Sequence, residues 1–169
     1  VLTTQEWFEV VETLSDNGVR AFELTGGEPT LHPGFTAILR KVCSVAQLVS
    51  VITNGTRLTK AVVDALGECP NAIVQVDVDG TPQEHDSLRG VKGAYEKAIE
   101  GIKRLNKRNI RFRVAMNVYS DNLASLEKVA SLASDHGATW FSASIILDVG
   151  RGRQLNVLRG HEIKEFIER

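Results

Sequence analysis

Apolar positions along the chain recur with two different periods, and the two alternate. Trp7, Val10, Val11 and Leu14 fall on one face of a helix. Thr3-Thr4-Gln5-Glu6 opens it as a capping box, with Thr3 as N-cap, and Gly18 stands where a left-handed residue closes it. Val19 to Leu24 is a short apolar run halted by Thr25-Gly26-Gly27-Glu28-Pro29, which predicts a strand ending in a glycine turn. The alternation then repeats. Helices are expected over Phe35 to Val45, Lys60 to Leu66, Tyr95 to Leu105 and Leu123 to Ala133, the last closed by Gly137. Strands are expected over Leu48 to Ile52, Ala72 to Val78, Arg111 to Val118 and Trp140 to Leu147, and His161 to Arg169 starts a further helix.

Short strands separated by helices call for parallel βαβ units with right-handed crossovers, hence an α/β fold. Five such strands fit either an open doubly wound sheet or part of a barrel, and in both the chemistry collects at the carboxyl ends of the strands. Those ends carry Thr25 to Glu28, Thr53 and Asn54, Asp77 and Asp79, Asn117, and Asp148 to Arg151. This polar edge is the candidate site.

Composition narrows the class. With 169 residues the chain supports one domain with a real core. Twenty Lys and Arg against 21 Asp and Glu leave a net charge of −1, which excludes a nucleic-acid binder that works by bulk basic charge. Hydrophobic residues at 43% and charged residues at 24% mark a globular chain. No apolar run approaches the ~18 residues of a membrane helix, and no basic-then-apolar leader opens the chain. We therefore expect no nucleic-acid or membrane partner and a cytoplasmic location. Cys43 and Cys69 are too few and too far apart for a disulfide framework or a cysteine-rich metal site, and both read as apolar burial.

Gly26-Gly27-Glu28-Pro29 is the most specific motif. Two glycines let backbone approach a ligand closely, their carbonyls can accept hydrogen bonds from a cationic amine, and Glu28 adds a negative charge. A plain glycine-rich turn is the alternative. A phosphate loop is excluded because the Lys-Ser/Thr ending is missing.

The segment from Leu24 to Leu31 resembles the second-strand motif of radical S-adenosylmethionine (SAM) enzymes. Val51-Ile52-Thr53-Asn54-Gly55 is similar to their third strand. Val76-Asp77-Val78-Asp79-Gly80, followed by His85-Asp86 and Arg89-Gly90, is similar to their fourth strand and its loop. Gly150-Arg151-Gly152 stands where many members carry a Gly-Arg pair after strand six. The His-Asp, Arg-Gly and Gly-Arg motifs favour the subgroup with C-terminal auxiliary-cluster domains of the SPASM or twitch type.

The resemblance implies a partial (β/α)6 barrel, with residues 1–169 forming the core domain and the barrel's first strand absent from the chain. It implies SAM and a [4Fe-4S] cluster as cofactors, the cluster being held on a CxxxCxxC loop after that first strand. Reduced cluster cleaves SAM to a 5′-deoxyadenosyl radical, which takes hydrogen from a substrate. Gly26, Gly27 and Glu28 would then take the SAM amino group. Thr53, Asn54 and Asp77 would face its methionine or ribose portion, and Asn117 with the Gly150-Arg151 backbone the adenine and carboxylate end, while Thr25, Pro29 and Asp79 complete the implied cofactor-binding set. The implied activity is modification of a peptide or protein, or maturation of a cofactor, with a peptide, protein or small-molecule substrate and a flavodoxin or ferredoxin as electron donor.

Two departures stand out. No CxxxCxxC occurs, so the chain contributes no metal ligand, reads as the middle of a longer enzyme and is expected to be inactive alone. Asp77 replaces a Ser common in relatives, and would bond ribose hydroxyls but repel a carboxylate. Rival readings are a molybdenum-cofactor cyclase-like radical SAM enzyme and a cluster-less barrel acting as a binding module. Of the remaining candidates, His32 reads as a turn residue, His85 and Asp86 as a capping pair in a polar loop, His136 as a helix-terminal residue and His161 as solvated. Trp140 and Phe141 read as core.

Overall fold

A side-chain cap fixes where the first helix begins. In the computed structural model, which describes residues 1–169 apart from the Arg151 side chain, the Thr3 N–H donates to Glu6 at 2.7 Å and the Glu6 N–H donates to Thr3 Oγ1 at 3.3 Å. This reciprocal pair starts α1 (Thr4–Asp16). There follow β1 (Ala21–Leu24), α2 (Phe35–Val45), β2 (Leu48–Thr53), α3 (Lys60–Gly67), β3 (Ala72–Asp77), α4 (Pro82–Arg89), α5 (Ala94–Lys107), β4 (Phe112–Val118), α6 (Leu126–Asp135), β5 (Trp140–Ile145) and α7 (His161–Glu168).

Helix α4 corrects the expected polar loop around His85 and Asp86. A second capping box, Thr81 with Glu84, starts it, Pro82 fills its first turn, and Gly90 closes it at φ 65°. Only His85 on it is buried, so no apolar stripe announced it. The helix expected from Leu123 instead begins at Leu126, after a 3-10 segment over Ser120–Ser125.

All five strands are parallel and lie side by side in chain order. Successive right-handed crossovers in one direction put every connecting helix on the same face. The fold is therefore α/β with a barrel-like sheet, and the doubly wound alternative is set aside. Val49, Val51, Val74, Val76, Val114 and Met116 point to the helical layer and share one core with Leu39, Val42, Leu66, Ile102 and Leu105. Strand alternation then sends Glu23, Ser50, Gln75, Asp77, Arg113 and Asn117 to the opposite, helix-free face.

Trp140 belongs to that second face and is 38% exposed, whereas Phe141 beside it packs on the core. The expected burial of both thus holds for Phe141 alone, because adjacent strand residues face opposite ways. Cys69 is buried and Cys43 half-buried, and burial pushes the Cys43 thiol well above its ordinary value. Among the described residues no helix is long and apolar enough to cross a membrane.

Candidate functional site

The polar groups expected at the carboxyl ends of the strands do share one edge of the sheet, since every strand runs the same way. Beyond β1, Gly26 adopts φ +144°, a conformation L side chains rarely reach. A Cβ on Gly26 or Gly27 would meet nothing within 4 Å, so no internal packing asks for glycine at Gly27. Among the described residues neither glycine's carbonyl accepts a hydrogen bond. Thr25, Gly26 and Gly27 are exposed, and Pro29 begins a 3-10 turn over Pro29–Leu31. The turn therefore presents free backbone acceptors to solvent.

Glu28 faces inward from this turn. Its Oε1 accepts from Thr53 Oγ1 at 2.7 Å and from the Thr30 N–H at 3.1 Å, and its Oε2 accepts from the Asn54 N–H at 2.8 Å. Thr53, 1% exposed, accepts in turn from the Gly55 N–H at 3.1 Å, and Asn54 closes its own turn by accepting from the Thr56 N–H at 2.9 Å. The carboxylate thus braces the loops after β1 and β2 against each other. Its position offers an amine ligand field more than a free oxygen.

Beyond β3 an ion network replaces simple exposure. Asp79 is fully buried, and its Oδ1 accepts from the backbone N–H of Asn117 at 3.0 Å and from Asn117 Nδ2 at 3.1 Å. Arg89, delivered by α4, reaches Asp79 Oδ2 at 2.6 Å and Asp77 Oδ2 at 3.1 Å. Gln75 donates to Asp77 Oδ1 at 2.9 Å. Asn122 donates to the carbonyls of Asp79 at 2.8 Å and of Asn117 at 2.9 Å.

Burial opposes ionisation of both aspartates. It wins at Asp77, whose carboxyl lies above its ordinary value. At Asp79 the adjoining His85, the Arg89 charge and the Asn117 N–H together outweigh it, and the carboxyl lies below.

His85 is not half of a capping pair. Its ring is fully buried, with Nδ1 3.1 Å from the Asp79 backbone nitrogen and 3.5 Å from Asp79 Oδ2. Its Nε2 finds no hydrogen-bond partner, and the ring meets Tyr95 edge-on with centroids 6.0 Å apart. Asp86 alone does the capping, accepting from the N–H groups of Gly93 at 2.6 Å and Tyr95 at 2.9 Å. Gly150 opens a 3-10 turn at φ +54° facing open space. The expected role of the Arg151 side chain lies outside the described residues.

Sequence reading missed Asn122, which carries no motif signal, and took Arg89 only as part of a motif. Cys43 and Cys69 precede β2 and β3, at the end of the sheet away from the glycine turn. Among the described residues no three His, Cys, Asp or Glu side chains could hold a metal ion. Residues 1–169 therefore do not fit an iron–sulfur cluster, whereas the open glycine backbone and the polar rim fit a small amine- and hydroxyl-bearing ligand.

A family model described as the Radical SAM superfamily matches residues 1–133. The chain belongs to the radical SAM superfamily. It is a family of enzymes. This radical SAM chain is 36% identical over 156 residues to the antilisterial bacteriocin subtilosin biosynthesis protein AlbA of Bacillus subtilis, covering 91% of the chain and 35% of that protein. It is 32% identical over 152 residues to the AdoMet-dependent heme synthase of Methanosarcina barkeri, covering 89% of the chain and 44% of that protein. The chain thus spans less than half the length of these curated relatives. Among solved structures, Streptococcus suis SuiB bound to its precursor peptide SuiA superposes with a TM-score of 0.86 at 16% identity, over 99% of this chain and 38% of that one. That likeness shows a shared fold.

Proposed function

We propose that residues 1–169 are the SAM-binding core domain of a radical enzyme that modifies a peptide or matures a cofactor. The observation that carries this reading is the glycine turn, where two glycines with free carbonyls face open space although nothing inside the chain requires Gly27. A cationic amine is the complement of two unpaired carbonyls beside an anionic turn. Glu28 holds the turn at a set distance from Asn54. Asp77, at the end of β3 and 14% exposed at its side chain, already accepts from Gln75 and Arg89 and keeps one further lone pair on each oxygen for a ribose hydroxyl. Asn117 is drawn toward Asp79 and presents what remains of its amide to the rim.

Bound at this rim, SAM would supply the family's carbon-radical chemistry. This chain's residues orient the nucleoside at the rim and keep the helix-free face of the sheet open to substrate. Peptide and cofactor maturation are favoured because relatives with those printed roles, such as the subtilosin biosynthesis protein, share this stretch. An electron donor such as flavodoxin or ferredoxin belongs to the same proposal, as does a cytoplasmic setting.

The test is a titration of isotopically labelled chain with SAM, followed by backbone amide NMR. Shifts confined to Gly26, Gly27, Asn54, Asp79 and Asn117 support the reading, even at millimolar affinity. Shifts elsewhere, or none at the glycine turn, would overturn it.

A further inference from the structure

Among the described residues, one cation on the helix-free face forms neither an ion pair nor a hydrogen bond. Arg113 sits near the start of β4, opposite Gln75 of β3 and Trp140 of β5. Its guanidinium carbon lies 6.0 Å from the centre of the Trp140 ring, within reach of a cation–π attraction. Its Nε is buried with no hydrogen-bond partner, and among the described residues Arg113 forms no ion pair.

The neighbours leave it that way. Gln75 is turned along the strand to donate to Asp77, and both oxygens of Asp77 are already engaged, by Gln75 and by Arg89. Arg111, next along the strand face, is occupied with the Pro70 carbonyl at 3.1 Å. Ala115 and Ser142, which pair one step nearer the rim, are too short to reach for charge. Beside the buried Nε, the two Nη groups at the end of the guanidinium make no hydrogen bond among the described residues, and such a planar pair of donors matches a carboxylate bonded through two oxygens.

We propose that Arg113, beside Trp140, is the anchor for a carboxylate of the substrate. The proposal rests on the reading above only in taking the helix-free face as the substrate's side. Arg113 precedes Asn117 by four residues, which at ~3.3 Å per strand residue puts the anchor about 13 Å below the rim. A substrate reacting at the rim would then carry its carboxylate roughly that far from the reacting atom, as an acidic side chain or peptide terminus allows.

The test uses the wild-type chain and follows the Arg113 Nε–H and Trp140 Nε1–H resonances by NMR. Glutarate is the probe, with its neutral diamide and inorganic phosphate as comparisons at constant ionic strength. Saturable shifts of both resonances with glutarate, absent with the diamide and weak with phosphate, are expected. In Arg113→Gln the Trp140 shift should vanish while the backbone spectrum stays folded, and Arg113→Lys should bind about tenfold more weakly. An equal response to the diamide or to phosphate would overturn the proposal, as would a Trp140 shift surviving in Arg113→Gln or Arg113→Lys binding as well as wild type. No SAM enters this experiment, and its reporters are not the rim amides, so either reading can fail without the other.

Discussion

Glu28 accepts a hydrogen bond from the Asn54 backbone N–H at 2.8 Å, across 26 residues of sequence. Because the same carboxylate also takes the Thr53 hydroxyl and the Thr30 amide, the loops that follow β1 and β2 move as one piece. The most distinctive acidic residue of the glycine motif therefore spends its charge inside the protein.

Glu28→Gln should accordingly act on stability before it acts on ligand. Its amide nitrogen would face a backbone N–H or a hydroxyl donor, leaving buried polar groups unpaired at a cost of about 2 kcal/mol. Urea unfolding without ligand measures this. An unchanged midpoint would show that the carboxylate is not the brace.

Two glycine substitutions separate ligand approach from packing. At Gly27 an added Cβ meets nothing, so Gly27→Ala should leave stability within about 0.5 kcal/mol while weakening SAM binding at the turn. At Gly101 of α5 an added Cβ would sit 2.8 Å from Leu58 Cδ1 and 2.9 Å from the Gly55 carbonyl, so Gly101→Ala should cost about 2 kcal/mol. Paired thermal melts and SAM titrations of the two variants check this contrast.

Asp79 should govern the acid limb of the stability curve. Its carboxyl is held below the ordinary value, so the stability of its charged form is present above about pH 4 and is lost as pH falls through the lowered value. Asp77 opposes this, because its raised value returns some stability as pH falls. Asp79→Asn leaves Arg89 short of a buried partner and should cost about 3 kcal/mol at neutral pH, with a flatter decline on acidification. Urea midpoints taken between about pH 3 and pH 7 would reveal it, and parallel curves for the two proteins would contradict it.

Helix α4 hangs on its cap. Thr81→Ala removes the Oγ1 that accepts from the Glu84 N–H and should cost about 1 kcal/mol. Amide exchange over residues 82–89 should quicken and loosen the grip of Arg89 on Asp79. Unchanged protection there would mean that tertiary contacts, and not the cap, hold the helix.

Local pattern was sufficient for most of the architecture. The 3.6-residue stripe of Ala98, Ile102 and Leu105 specifies α5 and its buried face, and the β-branched runs of Val49 and Val51 or Val74 and Val76 specify strands covered on one side. Turn chemistry at Gly26 and Gly27 marked the edge where the site lies, because glycine's freedom is a property of the residue itself. Helix α4 escaped because its evidence was two caps and no stripe.

What only the tertiary structure decided is where each polar group directs its charge. Sequence placed Glu28, Asp77 and Asp79 at one rim but could not tell that Glu28 turns to Asn54, or that Arg89 spans both aspartates. Nor could it show that Trp140 leaves the core to lie beside Arg113. Such partners are 10 to 38 residues apart in the chain, as Arg89 and Asn117 are from Asp79. They meet only when strand register and crossover direction are set, and periodicity within one segment carries no information about the charge that another segment will deliver.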